Sequence, residues 1–214
     1  MASFDWSILW RTLQVTGAAL FLSTLLGVPL GTWLGLSRFR GQRLLIGLIH
    51  TGMAFPPVVV GLVVYLALSR SGPLASLNWL FTPQAMIVAQ TIIATPLVAG
   101  ITTAAVAATP AELLPQVRSL GAGPWQAKWA ILREARPGVL VAIAAGFGRI
   151  IAEVGAALMV GGDIQGQTRV LTTAIVLETR QGEFAVALAL GGWLVGLALL
   201  VNLVGLRLQG RTSS

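Results

Sequence analysis

Two charged residues stand inside an otherwise apolar stretch of the sequence. Arg149 and Glu153 are four residues apart, so on a continuous helix they would share one face. A charge at the centre of a bilayer costs about 2.5–3.5 kcal/mol on insertion scales, so in a membrane helix both side chains should face the protein interior and pair. Two interpretations stay open: a structural pair that fastens its helix to neighbours, or a site on the path of a charged solute.

Other residue types give little support to an enzyme. His50 is the only histidine and the chain has no cysteine, so no thiolate metal site or cysteine nucleophile is available. The surroundings of His50 do not suggest a serine–histidine hydrolase. The single lysine, Lys128, stands outside any phosphate-binding loop, which excludes ATP binding by that route. We therefore predict no catalytic residue, no metal and no cofactor.

The composition is that of a membrane protein. Hydrophobic residues make up 56% of the 214 residues and charged residues only 10%, against about 25% charged in ordinary globular domains. Five apolar stretches each reach the roughly 20 residues that a membrane-spanning helix needs. They cover approximately residues 8–36, 44–68, 85–108, 139–160 and 184–206. The sequence thus predicts an all-α, polytopic membrane protein with five transmembrane helices in one domain, residues 1–214. The first stretch ends in a basic stop-transfer pattern and is expected to stay in the mature chain.

Basic residues predict the orientation of these helices. If the helices alternate, nine basic residues fall on one side and four on the other, with Arg149 left inside the fourth stretch. The richer side includes the tail residues Arg207 and Arg211. The positive-inside rule then places the amino terminus outside and the carboxyl terminus in the cytoplasm. The same bias explains the net charge of +7 better than nucleic-acid binding does.

The segment between the third and fourth stretches, residues 109–138, is long, basic and patterned. Apolar residues from Leu113 to Leu120 recur at helical spacing and predict a short amphipathic helix near the membrane surface. The following turn consists of Leu120, Gly121, Ala122, Gly123, Pro124 and Trp125. Its glycines allow positive φ, and Pro124 suits the first turn of a second helix. Such a pair of helices is either a surface connector or a docking element for a partner.

Glycine and proline residues predict special features within the apolar stretches. Gly27, Gly31 and Gly35 recur every four residues and would allow another helix to approach one face of the first helix closely. Proline residues leave backbone groups unpaired, which a membrane segment tolerates only where protein or a hydrated cavity satisfies them. We therefore expect kinks near Pro29, Pro56, Pro57 and Pro96.

The cytoplasmic segment resembles the coupling loop of ABC-importer permeases. Gly121 and Ile131 fit the spacing of that family's motif, and the run from Leu120 to Gln126 reads like the family's turn. Pro115-Gln116-Val117 stands where the family has Glu-Ala-Ala, so the contacts of the missing glutamate are not carried over. The resemblance implies that residues 120–125 couple the chain to an ATPase.

A second block resembles the permeases of molybdate and tungstate importers more narrowly. It comprises residues 148–155, 161–169 and 171–175. Residues 176–180 and the early Phe55-Pro56-Pro57-Val58-Val59-Val60-Gly61 are closer to the tungstate branch. The chain thus resembles the oxyanion-importer permeases, and this resemblance implies their MetI-like architecture.

The resemblance also implies partners and a place. It implies a second copy of the chain, a cytoplasmic ABC ATPase dimer, an extracytoplasmic oxyanion-binding protein and lipid of the prokaryotic cytoplasmic membrane. In this setting Arg149 would attract a passing dianion while Glu153 prevents tight binding. Molybdate or another anion is an alternative substrate. An ion-coupled secondary transporter, a channel or a membrane scaffold are alternatives from other classes.

Overall fold

The computed structural model describes residues 5–210, which fold into α-helices without a β-strand in that range. Arg211, which entered the charge count above, lies outside the described residues. In chain order the helices are α1 (Trp6–Leu36), α2 (Gln42–Met53), α3 (Pro57–Leu68), α4 (Pro83–Ala107), α5 (Leu113–Ser119), α6 (Pro124–Glu134), α7 (Arg136–Ile151), α8 (Gly155–Gly161), α9 (Leu171–Gln181) and α10 (Phe184–Gly210). A short 3₁₀ turn, Ala75–Leu77, lies between α3 and α4. The all-α prediction is confirmed.

Three helices are long and apolar enough to cross a membrane alone, namely α1, α4 and α10. Two bent pairs of helices meet the same criteria of length and apolarity together: α2 and α3 meet at 95°, and α7 and α8 meet at 60°. Counting each pair as one crossing gives the five spans that hydropathy predicted. The second stretch is interrupted at the prolines where a kink was expected, whereas the fourth, expected to be one helix, is interrupted after Ile151.

The break between α2 and α3 has a clear cause in the sequence. Pro57 is the first residue of α3 and has no N–H to give to the carbonyl of Met53. Pro56 adopts an extended conformation with ψ of 122°, so the helix cannot continue through it. The expected kink is therefore found here. In contrast, α1 and α4 each run as one helix past Pro29 and Pro96.

Close packing of α1 against α4 forms the centre of the fold. A Cβ atom at Gly27 would lie 2.9 Å from the Val98 side chain, and one at Gly31 would lie 2.5 Å from the Ala99 carbonyl oxygen. A Cβ at Gly35 would likewise collide with Val106. The predicted role of the glycine face in helix packing is confirmed, and α4 is its partner.

The end of the molecule opposite residues 109–138 is stabilised by hydrogen bonds that involve its loops. The N–H of Phe81 donates to the carbonyl of Val160, and the Arg11 guanidinium donates to the carbonyl of Gly166. Asp5 caps α1 by accepting from the Ser7 N–H, and hydrogen bonds from Ser7 hold the pKa of the Asp5 carboxyl below its usual value. These contacts fix where α8 ends relative to α1 and α4.

Candidate functional site

The two helix breaks lie side by side in the fold. A Cβ on Gly155, the first residue of α8, would lie 2.7 Å from a methyl group of Val58 in the first turn of α3. Only glycine at position 155 permits this approach. This contact brings the bend at residues 54–56 next to the bend at residues 152–154. The two adjacent bends form the candidate site.

Arg149 lies before the second break and Glu153 lies within it, and the two side chains are not paired. The described residues contain one ion pair by distance, between Arg169 and Asp163 at 3.3 Å. The predicted Arg149–Glu153 pair is therefore wrong. Spacing by four residues places side chains on one face only while the helix continues, and α7 ends at Ile151, between the two.

Glu153 stabilises the break from within. Its side chain is buried, with 8% exposed, and Oε1 accepts from the N–H of Ala156 at 2.9 Å. Its carbonyl oxygen accepts from the Thr172 hydroxyl at 3.1 Å, which ties the break to α9. The carboxylate thus satisfies one of the free N–H groups at the start of α8, as a helix cap does.

Arg149 connects the two breaks. It is the last-turn basic residue of α7, and its Nη2 lies 3.5 Å from the carbonyl oxygen of Phe55, a long hydrogen bond. The next turn of α3 is bonded to the Pro56 carbonyl instead, by the N–H of Val59. The Phe55 carbonyl is therefore left without a helical donor, and Arg149 is the group that approaches it.

In a single chain, the bend between α2 and α3 is exposed at the surface. Ala54, Phe55 and Pro56 are exposed, with 43% of Phe55 accessible, and Arg149 is partly accessible. Irregular backbone and a guanidinium would thus be uncovered in the middle of two spans. Neither is stable against lipid, so this surface needs protein or water over it.

One polar residue near the breaks was missed in the sequence. Gln90 of α4 has 3% of its surface exposed, and its Oε1 has no hydrogen-bond partner among the described residues. On the same α4 face, Met86 contacts Gly161 of α8 and Ala94 packs with Ile150 of α7. Gln90 therefore lies between these contacts, facing the α7–α8 break. Its signal was a lone amide in an apolar stretch.

Residues 109–138 have the predicted geometry of two short helices and a turn. Gly121 has φ of +87°, which confirms the expected left-handed residue, while Gly123 has φ of −67° and does not use that freedom. Pro124 begins α6, and the Gly123 N–H donates to Oε1 of Gln126 at 2.9 Å. Leu120 and Trp125 are 87% and 78% exposed, so the turn presents two uncovered apolar side chains.

The turn and the breaks are far apart but mechanically connected. Ile131 of α6 packs with Val106, Leu113 and Leu114, which seats the segment on the end of α4. Only Ala135 separates α6 from α7, and the 16 residues of α7 end at the break. At 1.5 Å per residue, α7 spans about 24 Å from Ala135 to the break and carries Arg149 in its last turn.

Within residues 5–210 no group of three His, Asp or Glu side chains is placed to hold a metal ion. His50 lies on the exposed side of α2, one turn before the bend. The arrangement can instead attract an anion through Arg149 and transmit movement through α7.

Comparison with known proteins gives a consistent result. The sequence profile of the family described as "Binding-protein-dependent transport system inner membrane component" matches residues 27–213. The chain is 44% identical over 211 residues to a probable anion ABC transporter permease protein of Haloferax volcanii, covering 96% of this chain and 91% of that one. It is 37% identical to the tungstate uptake system permease protein TupB of Peptoclostridium acidaminophilum, covering 98% and 93%.

The fold also has a close neighbour among solved structures. An inward-facing conformation of the MetNI methionine ABC transporter superposes with a TM-score of 0.78 at 22% identity, covering 99% of both chains. At that identity the likeness concerns the fold alone. It confirms the predicted MetI-like architecture.

Proposed function

Because the chain belongs to the family of inner membrane components of binding-protein-dependent transport systems, we propose that it is the permease subunit of an ABC importer for a tetrahedral oxyanion, in the first place tungstate. The tungstate permease of P. acidaminophilum, similar over nearly the whole chain, supports the substrate. The anion permease of H. volcanii supports the wider class. Molybdate is the alternative substrate because it is a tetrahedral dianion of nearly the same size.

One observation carries the assignment of the path. The exposed bend at Phe55 and the Arg149 guanidinium lie together in the middle of two spans, where lipid cannot cover them. We assign this surface to the translocation path, shared with a second copy of the chain that covers it. Arg149 supplies positive potential to a dianion there, and the weak, partly hydrated contact lets the anion leave again.

The other working part is the turn at residues 120–125. Leu120 and Trp125 are free to enter a groove on a cytoplasmic ATPase, and Gly121 fixes the angle between α5 and α6. Movement of the docked turn would shift α6 and, through Ala135, the rigid rod α7. The end of that rod carries Arg149 to the path, which links ATP-driven motion to the position of a charge.

The assembly follows from these assignments. Two copies of the chain form the path, an ATPase dimer binds the two turns, and an oxyanion-binding protein delivers substrate from outside. The excess of basic residues on one side of the helices supports an amino terminus outside and a carboxyl terminus inside. Ser71 and Ser119 are exposed on opposite sides in this orientation. In spheroplasts, a membrane-impermeant maleimide should label Ser71→Cys and spare Ser119→Cys, and the reverse pattern would invert the topology.

Reconstitution tests the function directly. The chain, its ATPase and its binding protein are placed in proteoliposomes, and accumulated tungsten, molybdenum and sulfur are measured by elemental mass spectrometry. We expect ATP-dependent uptake of tungstate above that of molybdate and little of sulfate. Omission of the binding protein or of ATP is the matched control. Uptake that persists without the ATPase and follows an ion gradient would instead identify a secondary transporter.

A further inference from the structure

A cavity lies at the cytoplasmic end of α1, away from the helix breaks. It has a volume of about 350 Å³ and is bounded by the last turns of α1 and one face each of α5 and α6. From α1 it takes side chains such as Pro29 and Trp33, and from α5 and α6 Leu114 and Leu132. The interior is apolar, and it opens outward because Pro29 and Trp33 are exposed. Its place at the end of a span puts it at the level where lipid tails meet the headgroups.

The rim of this cavity is cationic and aromatic. Arg118 of α5 and Lys128 of α6 both border it, and no acidic residue does. Trp125 and Trp129 lie on the same face of α6 as Lys128, and together with Trp33 they form a border of indoles. Indoles favour the membrane interface, and paired Lys and Arg side chains beside an apolar slot suit a phosphate attached to an acyl chain.

We infer that the α1–α5–α6 cavity binds an anionic phospholipid, with its acyl chain along α1 and its phosphate between Arg118 and Lys128. The cytoplasmic leaflet supplies such lipids, and the basic residues of the chain face that leaflet in the proposed orientation. A second copy of the chain is the less suitable occupant. A two-fold symmetric contact through this face would bring Arg118 and Lys128 against their own copies, which like-charge repulsion opposes.

The lipid would touch the coupling turn. Trp125 belongs both to the turn at residues 120–125 and to the border of the cavity. A bound lipid therefore braces α6 against α1, opposite the packing of Ile131 on α4. This site does not depend on which anion the importer carries, so its test is separate from that of the proposed function.

The test uses a photoactivatable phosphatidylglycerol, labelled on an acyl chain, in phosphatidylcholine proteoliposomes containing the full chain. After photolysis, mass spectrometry of peptides should place adducts on the α1 and α6 walls of the cavity. Unlabelled phosphatidylglycerol should compete, while phosphatidylcholine and free inorganic phosphate should not. Competition by free inorganic phosphate would assign the site to a free anion and overturn the proposal of a lipid site.

Variants complete the test. One Lys or Arg near an anionic surface strengthens binding about fivefold, so Arg118→Gln with Lys128→Gln should weaken labelling about 25-fold. Arg38→Gln with Arg40→Gln is the matched control, because both residues are exposed just beyond α1 but do not border the cavity. An equal loss of labelling in the control would show that general surface charge causes the effect, and would overturn the proposed phosphate position. Efficient disulfide formation between two copies of a Trp33→Cys variant would place a second chain in the cavity and overturn the proposal.

Discussion

At the scale of single residues, the candidate site separates two charges that the sequence placed together. Glu153 is a buried cap for the N–H of Ala156, whereas Arg149 reaches across to the Phe55 carbonyl and stays partly accessible. The Glu153 carboxylate accepts one peptide N–H and has no cation within ion-pair distance among the described residues. Arg149 is therefore not neutralised by Glu153.

Replacement of Arg149 tests its role in the path. We expect Arg149→Gln to assemble normally and to stimulate ATP hydrolysis, but to lower oxyanion uptake about tenfold, which corresponds to about 1.4 kcal/mol. Arg149→Lys keeps the charge and should retain much of the uptake. The control is Arg180→Gln, at the exposed end of α9. Wild-type uptake by Arg149→Gln in proteoliposomes would remove Arg149 from the path.

A double-mutant cycle tests whether the two charges act together. Because they contact different partners, Glu153→Gln should not rescue Arg149→Gln, and the coupling between the two changes should stay below about 0.5 kcal/mol. Glutamine at position 153 keeps an acceptor for Ala156, so that variant should fold. Glu153→Ala leaves a buried N–H unpaired and should lower stability by about 1–3 kcal/mol, seen as a lower unfolding temperature in detergent. Restoration of uptake in the double Gln variant would show that the pair forms during transport.

At the scale of elements, α7 connects α6, which follows the turn at residues 120–125, to the second break. It follows α6 after the single residue Ala135 and ends where Arg149 and Glu153 diverge. The glycine face of α1 lies directly against α4, so the centre of each chain resists deformation. Movement is thus expected at the breaks and at the turn, not within α1 or α4.

Gly121 is the residue through which the turn can be tested. Its φ of +87° is costly for a β-branched side chain, although nothing in the surrounding structure would collide with a Cβ. Gly121→Val should therefore add about 1–3 kcal/mol of backbone strain to the turn. The distorted turn should uncouple ATP hydrolysis from uptake in the folded transporter.

Two controls accompany this variant. Gly121→Asn should transport better than Gly121→Val, because Asn tolerates a left-handed backbone. Gly123→Ala should be close to wild type, since φ there is −67° and the nearest atom to a Cβ is 3.7 Å away. Normal ratios of uptake to hydrolysis in Gly121→Val would show that the turn does not transmit the motion.

At the scale of the whole molecule, one chain leaves its most irregular surface uncovered. The bend at residues 54–56 and Arg149 lie in the middle of their spans and are accessible. A symmetric pair of chains that meet at this surface would enclose it and form a path between them. The apolar side chains exposed elsewhere on α1 and α10 can face lipid without such cover.

Cross-linking tests the pairing, and the chain is suited to it because it has no cysteine of its own. Under oxidation in native membranes, Phe55→Cys should give a disulfide-linked dimer. Ala94→Cys, fully buried within one chain, should stay monomeric under the same conditions. Only monomers from Phe55→Cys, in membranes with intact oxyanion uptake, would contradict a path at this surface.

The sequence alone determined the features that depend on local composition and spacing. Apolar length predicted five crossings, the glycine repeat predicted a close helix contact, and Gly121 with Pro124 predicted the turn between two short helices. Each of these follows from a property of neighbouring residues: the transfer of apolar side chains to lipid, the absence of a Cβ, or a restricted φ. The resemblance in residues 148–175 likewise needed only the order of residues.

Tertiary structure decided what the breaks do. Proline signals could mark Pro29, Pro57 and Pro96 equally, yet only the chain at Pro56 and Pro57 turns by 95°, while α1 and α4 stay whole where they pack together. The bend of 60° after Ile151 has no proline at all. It is held by the Glu153 cap, by Thr172 of α9 and by the contact of Gly155 with Val58. These partners lie up to about a hundred residues apart in the chain, so helical spacing could not reveal them, and for that reason it paired Arg149 with the wrong residue.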